Sequence, residues 1–220
     1  MRILVVANGP GSPRKAPQGA WGSIIGVDGG GDLLHSWNMP AHRLVGDLDS
    51  ISPEGIRFHE AHGAHIERHP ADKNQTDLEL ALDGLPKASD VEIHLTGCFG
   101  GRSDMSLLNF LLLGRFVDRG WYTFATAEGV GGVLGSGEIS VSRLPPGTPC
   151  ALLAISDTVE KIVSTGVHWP LRGESLRLGE GRGVSNLSEE PEWRVRIDRG
   201  ALLWLVTGPT RVSVGIEWHP

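Results

Sequence analysis

The hydrophobic pattern of this chain changes style once, near residue 128, and that change limits the fold more than any other feature. Before it, apolar runs alternate with stretches of helical period. "RILVVA" (2–7), "SIIGVD" (23–28), "RLVGD" (43–47), "AHIERH" (64–69), "VEIHLTG" (91–97) and "WYTFATA" (121–127) read as strands. Several are apolar throughout, as suits parallel strands covered on both faces. Between them "SPEGIRFHEAHG", "TDLELALDGL" and "DMSLLNFLLLGRFVDRG" read as helices. The second carries Leu78, Ala81, Leu82 and Leu85 on one face, and the third is apolar enough for a core helix.

Strands alternating with helices predict an α/β domain with an open, mostly parallel, Rossmann-like sheet. The Gly-rich stretch "EGVGGVLGSGE" (128–138) reads as a linker or hairpin. Short β-type runs follow: "EISVSRL", "CALLAIS", "VEKIVST", "SLRLGEG", "EWRVRID", "GALLWLVT" and "TRVSVGIEW", with no convincing helix among them. They predict an all-β sandwich or barrel. The expected domains are therefore residues 1–130 (α/β) and 131–220 (β).

The totals exclude some functions. The chain has 220 residues and a net charge of −6, and it contains no Lys/Arg-rich block, so no nucleic-acid partner is expected. Phosphate-bearing ligands stay open, because they need only a few local cations or a metal. The two cysteines, Cys98 and Cys150, form no CxxC pair, which argues against a zinc site or a disulfide framework. No signal peptide or membrane-length run is read, and a cytoplasmic setting is expected.

In open α/β sheets, ligands bind at the carboxyl ends of the strands. Strand two ends in "VDGGG" with Asp28, and strand three in "GDLDS" with Asp47 and Asp49. Strand four leads into "HPADKNQTDLE" with Asp72, Lys73 and Asp77, and strand five ends in "TGCFGGRSD" with Arg102 and Asp104. Each has a plainer explanation. Asp28, Asp47 and Asp49 suit turns. Ser52 and Pro53 suit a helix start. Thr76 and Glu79 form a capping box with Asp77 at the favourable end of the helix dipole. Ser103 or Asp104 suits a cap. Crowded together, these carboxylates tell against the plainer explanation, since two of them about 5 Å apart repel by roughly 3 kcal/mol at an effective dielectric near 20. A divalent cation relieves that cost. Hard oxygen donors beside a Lys and an Arg point to Mg²⁺ and a phosphate substrate.

"GCFGGRSD" is a Gly-rich loop between strand and helix that suits an anion, with Arg102 adding a fork of donors. It is not a Walker A loop, because Gly-Lys occurs nowhere in the chain. The histidines of "HEAHGAHIERH" (59–69) read as a solvated helix end: Gly63 interrupts the helix after His59 and His62, and HExxH is absent.

Taken in order, "VDGG", "GDLDSI", "DKNQTDLELAL" and "TGCFGGRSDMSLLN" resemble the thiamine diphosphokinase (thiamine pyrophosphokinase) family, as do "VSTGVHWPL" (163–171), "GRGVSN" (181–186) and "GALLWLV" in the second half. The resemblance implies an α/β nucleotide-binding domain joined to a β-sandwich, acting as a homodimer. It implies transfer of a pyrophosphoryl group from ATP to the hydroxyl of thiamine, releasing AMP. Asp47, Asp49 and Asp77 would hold Mg²⁺. Asp28, Gly29, Thr76, Asp77, Gly100 and Arg102 would bind ATP, and Asp72, Lys73, Arg102 and Asp104 would act at the reaction centre. Ser185, Asn186 and Trp169 would serve the thiamine pocket at the dimer interface. Met105 departs from the family, which commonly has His there. Two other functions are alternatives: a metal-dependent nucleotide-sugar transferase, which leaves "KNQTD", "GGRSD" and the β-domain segments unexplained, and a non-catalytic thiamine or nucleotide sensor.

Overall fold

Leu4, Val5 and Val6 are wholly shut off from solvent, and the first sheet is built around them. The computed structural model describes residues 1–208 and 214–219. The chain forms two compact units, Met1–Asn109 and Phe110–Pro220. They part at 109/110, well before the expected boundary at 130. The strand at Trp121–Ala125 pairs antiparallel with the strand that follows it, which draws it into the second unit.

In the first unit, β1 (Arg2–Val6), β2 (Ser23–Val27), β3 (Arg43–Gly46), β4 (His65–Arg68) and β5 (Glu92–Thr96) lie in the order β5-β1-β2-β3-β4. All of these neighbours pair in parallel, so the carboxyl ends share one edge. Helices α1 (Gly30–Ser36), α2 (Pro53–Ala61) and α3 (Asp77–Asp83) connect β2 to β3, β3 to β4 and β4 to β5, and α4 (Ser103–Arg115) follows β5 and contains the division between the units. As the sequence predicts, Ser52 caps α2, its Oγ accepting the Gly55 N–H, and Thr76 caps α3, its Oγ1 accepting the Glu79 N–H. Leu78, Ala81, Leu82 and Leu85 are buried.

Three expectations change. The sequence reading contains no α1, because its first turn is glycine and Gly29 before it supplies no side-chain cap. The glycines are there for closeness: a Cβ at Gly30 would collide with the Val6 carbonyl oxygen. Helix α4 is not a core helix throughout, since Leu107 and Leu111 are exposed while Leu112 and Leu113 are buried. His59 is no solvated helix end but is fully buried. Its Nδ1 accepts the Ala41 N–H at 3.1 Å, which leaves Nε2 to donate to the Gly31 carbonyl at 2.9 Å.

In the second unit, β6 (Trp121–Ala125), β7 (Gly129–Leu134), β8 (Gly137–Ser142), β9 (Pro149–Ala154), β10 (Thr158–Thr165), β11 (Arg172–Arg177), β12 (Asn186–Leu187), β13 (Glu192–Ile197), β14 (Leu202–Thr207) and β15 (Gly215–His219) follow one another. Two antiparallel groups result, β6-β7-β14-β9-β12 and β11-β10-β13-β8-β15. One core containing Leu134, Ile139, Val141, Leu152, Trp193, Val195 and Trp204 draws on both, which makes a sandwich. The Gly-rich stretch is not a linker: it forms β7, the second arm of the β6–β7 hairpin, and runs on into β8. A Cβ at Gly132 would strike the Tyr122 carbonyl oxygen and stand 2.7 Å from the Trp204 ring, so glycine lets the indole lie over the strand. Part of the expected run at 210–218 lies outside the described residues.

Candidate active site

The site starts from one backbone distortion. β3 ends on Gly46, and then Leu48 takes a left-handed conformation, φ +63°, which a branched side chain adopts at a cost of about 1–2 kcal/mol. Burial offsets the cost: Leu48 packs with Leu44 and Ile51 in a small core under the loop. Asp47 and Asp49 flank this anchored residue and point away from that core, with Asp49 exposed. Asp28 also has a positive φ, +46°, which the short polar side chain of Asp tolerates. Carboxylate oxygens of Asp28, Asp47 and Asp49 all lie within 4.8 Å of one another.

Asp77 and Lys73 complete the group. Lys73 Nζ lies 3.0 Å from Asp77 Oδ1 and 4.0 Å from Asp47 Oδ2, and it also donates to the Pro70 carbonyl. Asp77 Oδ1 is buried and accepts no well-aligned hydrogen bond. A Cβ at Gly46 would stand 3.1 Å from Asp28 Cβ and 3.2 Å from Asp77 Cγ, so the glycine lets both aspartates close around the strand end. Three carboxylates at mutual contact range, beside a buried carboxylate oxygen lacking a hydrogen bond, fit a hard divalent cation. The expectation put Asp47, Asp49 and Asp77 around the ion; the geometry groups Asp47 and Asp49 with Asp28 and gives Asp77 a lysine partner.

The remaining first-unit positions divide differently. Gly29 stands before α1, and the hydroxyl of Thr76 is occupied as a cap. Gly100, at φ +102°, donates its N–H to Ser106 Oγ. Arg102 and Asp104 form a two-pronged ion pair with each other, at 3.1 and 2.6 Å, and both are exposed. The Arg102 hydrogen bonds, with help from the Met105 backbone N–H, hold the Asp104 carboxyl down at about 2, which makes it a weak base. Met105, where the family's His was expected, follows directly in α4. Asp72 is exposed on the loop before Lys73.

In the second unit, Trp169 is exposed to 58%, with the His168 ring edge-on to it at 4.4 Å. Buried Asn186 holds it: Oδ1 accepts the N–H groups of Trp169 and Leu187 at 3.0 and 2.9 Å, and Nδ2 donates to the Trp169 carbonyl at 2.8 Å. Asn186 thus spends both ends of its amide on backbone, whereas a ligand contact was expected of it. Ser185 beside it is exposed, with φ +63°. Sequence reasoning passed over Asp32, which binds the start of α2 to α1 through Ser52. Its only signal was spacing, four residues after Asp28 in a Gly-rich run.

Residues 21–124 match the family model for the thiamin pyrophosphokinase catalytic domain, and residues 137–202 match that for the thiamin pyrophosphokinase vitamin B1 binding domain. A thiamine pyrophosphokinase of Bacillus subtilis is 29% identical over 164 residues, covering 74% of this chain and 76% of the relative. Thiamine pyrophosphokinase 1 of Oryza sativa subsp. japonica is 27% identical over 179 residues, and the match spans 74% of this chain but only 65% of that relative's length. Among solved structures, thiamine pyrophosphokinase from Bacillus subtilis superposes with a TM-score of 0.74 at 25% identity, over 96% of this chain and 100% of that one. Thiamin pyrophosphokinase from Candida albicans, at 17% identity, shares the fold with a TM-score of 0.67 over 94% and 90%. With both family segments matched in order and the acidic group inside the first of them, the chain belongs to the thiamine pyrophosphokinase family.

Proposed function

We propose that this chain transfers a pyrophosphoryl group from ATP to the hydroxyl of thiamine, giving thiamine diphosphate and AMP. The observation that carries the reading is the match of both family segments, with the Asp28, Asp47 and Asp49 carboxylates gathered inside the catalytic one. In the reaction the thiamine hydroxyl oxygen bonds to the β-phosphorus of ATP. The bond from that phosphorus to the α–β bridging oxygen breaks, and AMP leaves with the electron pair. A bound Mg²⁺ supplies charge neutralisation and alignment of the phosphates. Asp28, Asp47 and Asp49 would hold it, with Asp77 beside them.

Lys73 balances the carboxylates before substrate arrives and takes up phosphate charge afterwards. Arg102, exposed with its planar fork, is suited to phosphate oxygens. One carboxylate, Asp104 or Asp72, would accept the hydroxyl proton; Asp72 is exposed and Asp104 is paired with Arg102 before substrate binds. Trp169 offers a flat face to the cationic ring of thiamine, with Ser185 nearby and Asn186 as its support. The parallel sheet of the first unit is read as Rossmann-like. The functional division is taken to fall near 130, between the two matched segments. The protein is read as a homodimer, as the family resemblance implies, and as cytoplasmic, in keeping with its two free, buried cysteines. No helix among the described residues is long and apolar enough to cross a membrane.

Purified protein incubated with ATP, Mg²⁺ and thiamine tests the activity. Thiamine diphosphate and AMP should form in equal amounts, and EDTA should stop both. AMP without thiamine diphosphate, or no turnover at saturating substrates, sinks the proposal. Sedimentation at micromolar protein should give twice the chain mass.

A further inference from the structure

The loop between β3 and α2, residues 47–52, carries two of the three clustered carboxylates, yet its conformation depends on a residue outside it. Asp32, in the first turn of α1, accepts the Ser52 N–H on Oδ2 at 2.8 Å and the Ser52 hydroxyl on Oδ1 at 2.6 Å. The Ser52 hydroxyl in turn accepts the Gly55 N–H at 3.0 Å. Four residues before Asp32, Asp28 Oδ1 receives the Ser50 N–H at 3.4 Å. Between these two attachments Ile51 presses on Gly31, where a Cβ would collide with its Cδ1. A side chain at position 55 would likewise run into Asp32 Oδ1. Two glycines thus clear the space in which α1 grips the loop.

Both oxygens of Asp32 are taken by Ser52, and Asp32 is not among the clustered ligand atoms of Asp28, Asp47 and Asp49. A loop that contains a left-handed leucine has a strained backbone, and the Asp32 attachment fixes its far end. We infer that Asp32 is a positioning residue for the metal site, acting through Ser52 to set where Asp47 and Asp49 stand. The inference rests on the reading of Asp28, Asp47 and Asp49 as metal ligands.

The test is the affinity of the full chain for Mn²⁺ alone, followed by the spin-resonance signal of the free ion, with thermal melts alongside. Asp32→Ala and Ser52→Ala should each weaken Mn²⁺ binding by about tenfold, the usual scale for partners that orient metal ligands. The double variant should be no weaker than the weaker single, because both act on one contact. Asp32→Asn should recover most of the affinity, since its amide oxygen accepts the Ser52 N–H and its nitrogen donates to the hydroxyl. Ile93→Val, in the core of β5, should lower the melting temperature and leave Mn²⁺ affinity unchanged. If Asp32→Ala does not fold, Ser52→Ala and Asp32→Asn carry the comparison. Unchanged affinity in Asp32→Ala or Ser52→Ala, additive losses in the double, or a parallel loss in Ile93→Val overturns the inference alone. If the unsubstituted chain takes up no Mn²⁺, or Asp47→Asn binds it equally well, the metal reading falls and takes this inference with it.

Discussion

Lys73 Nζ lies 3.0 Å from Asp77 Oδ1, a pair four residues apart, and it reaches towards Asp47 Oδ2 at 4.0 Å. One ammonium therefore serves two carboxylates, and Asp77 Oδ1 is buried without a well-aligned hydrogen bond. In Lys73→Met that buried charge is left uncompensated. The melting temperature in EDTA should fall by the equivalent of about 1–3 kcal/mol. Added MgCl₂ should restore more stability to the variant than to the unsubstituted chain. Equal losses with and without Mg²⁺ would show that Lys73 only packs.

The gathering of Asp28, Asp47 and Asp49 carboxylate oxygens within 4.8 Å of one another sets up the opposite stability result. Asp47→Asn or Asp49→Asn removes repulsion from the metal-free protein, so its melt in EDTA should be unchanged or higher. Turnover should fall by a hundredfold or more, on the order of the several kcal/mol that metal-borne charge stabilisation contributes. Near-normal turnover at saturating Mg²⁺ would remove these residues from the metal site.

Asn186 supports Trp169 through three backbone hydrogen bonds, so its role is orientation. Asn186→Ala should raise KM for thiamine by about tenfold, the loss of roughly 1.4 kcal/mol, with kcat changed far less. A fall in kcat at constant KM would place the amide at the reacting atoms instead.

His94 gives the first unit a pH dependence of known sign. Burial is the main cause that pushes its pKa down, to about 4, with Arg2 adding and Glu92 opposing. Trp21 covers it at 5.7 Å. The unfolded chain takes up this proton near 6.5 and the folded one only near 4, so between those values the unfolded state binds more protons. Stability is therefore full above about 6.5 and declines as pH falls towards 4, by at most about 3–4 kcal/mol for the 2.5-unit difference. The ring keeps some exposure, so the measured loss should be smaller. Denaturant melts of unsubstituted chain and His94→Gln between pH 4 and 7 should diverge in slope over that window. Parallel curves would rule the residue out.

Much of this protein was legible because its signals are local. The strand ends at Asp28 and Asp47, the caps at Ser52 and Thr76 and the buried face of α3 follow from periodicity and capping chemistry, which act over a few residues. The order of the acidic segments carries the resemblance to the family. The features that escaped depend on what lies far away in sequence. Gly30 and Gly132 look like breakers until the Val6 carbonyl and the Trp204 ring are seen against them. His59 has the sequence neighbours of a surface residue, and only its bonds to Ala41 and Gly31 make it core. Asn186 sits 17 residues from the backbone groups of Trp169 that use up its amide. In each case a close approach between distant segments set the role, and sequence periodicity carries no information about such approaches. The sequence by itself determined which residues bring charge to the strand ends; the tertiary structure decided which carboxylates stand together, because that depends on how α1 grips the loop before α2.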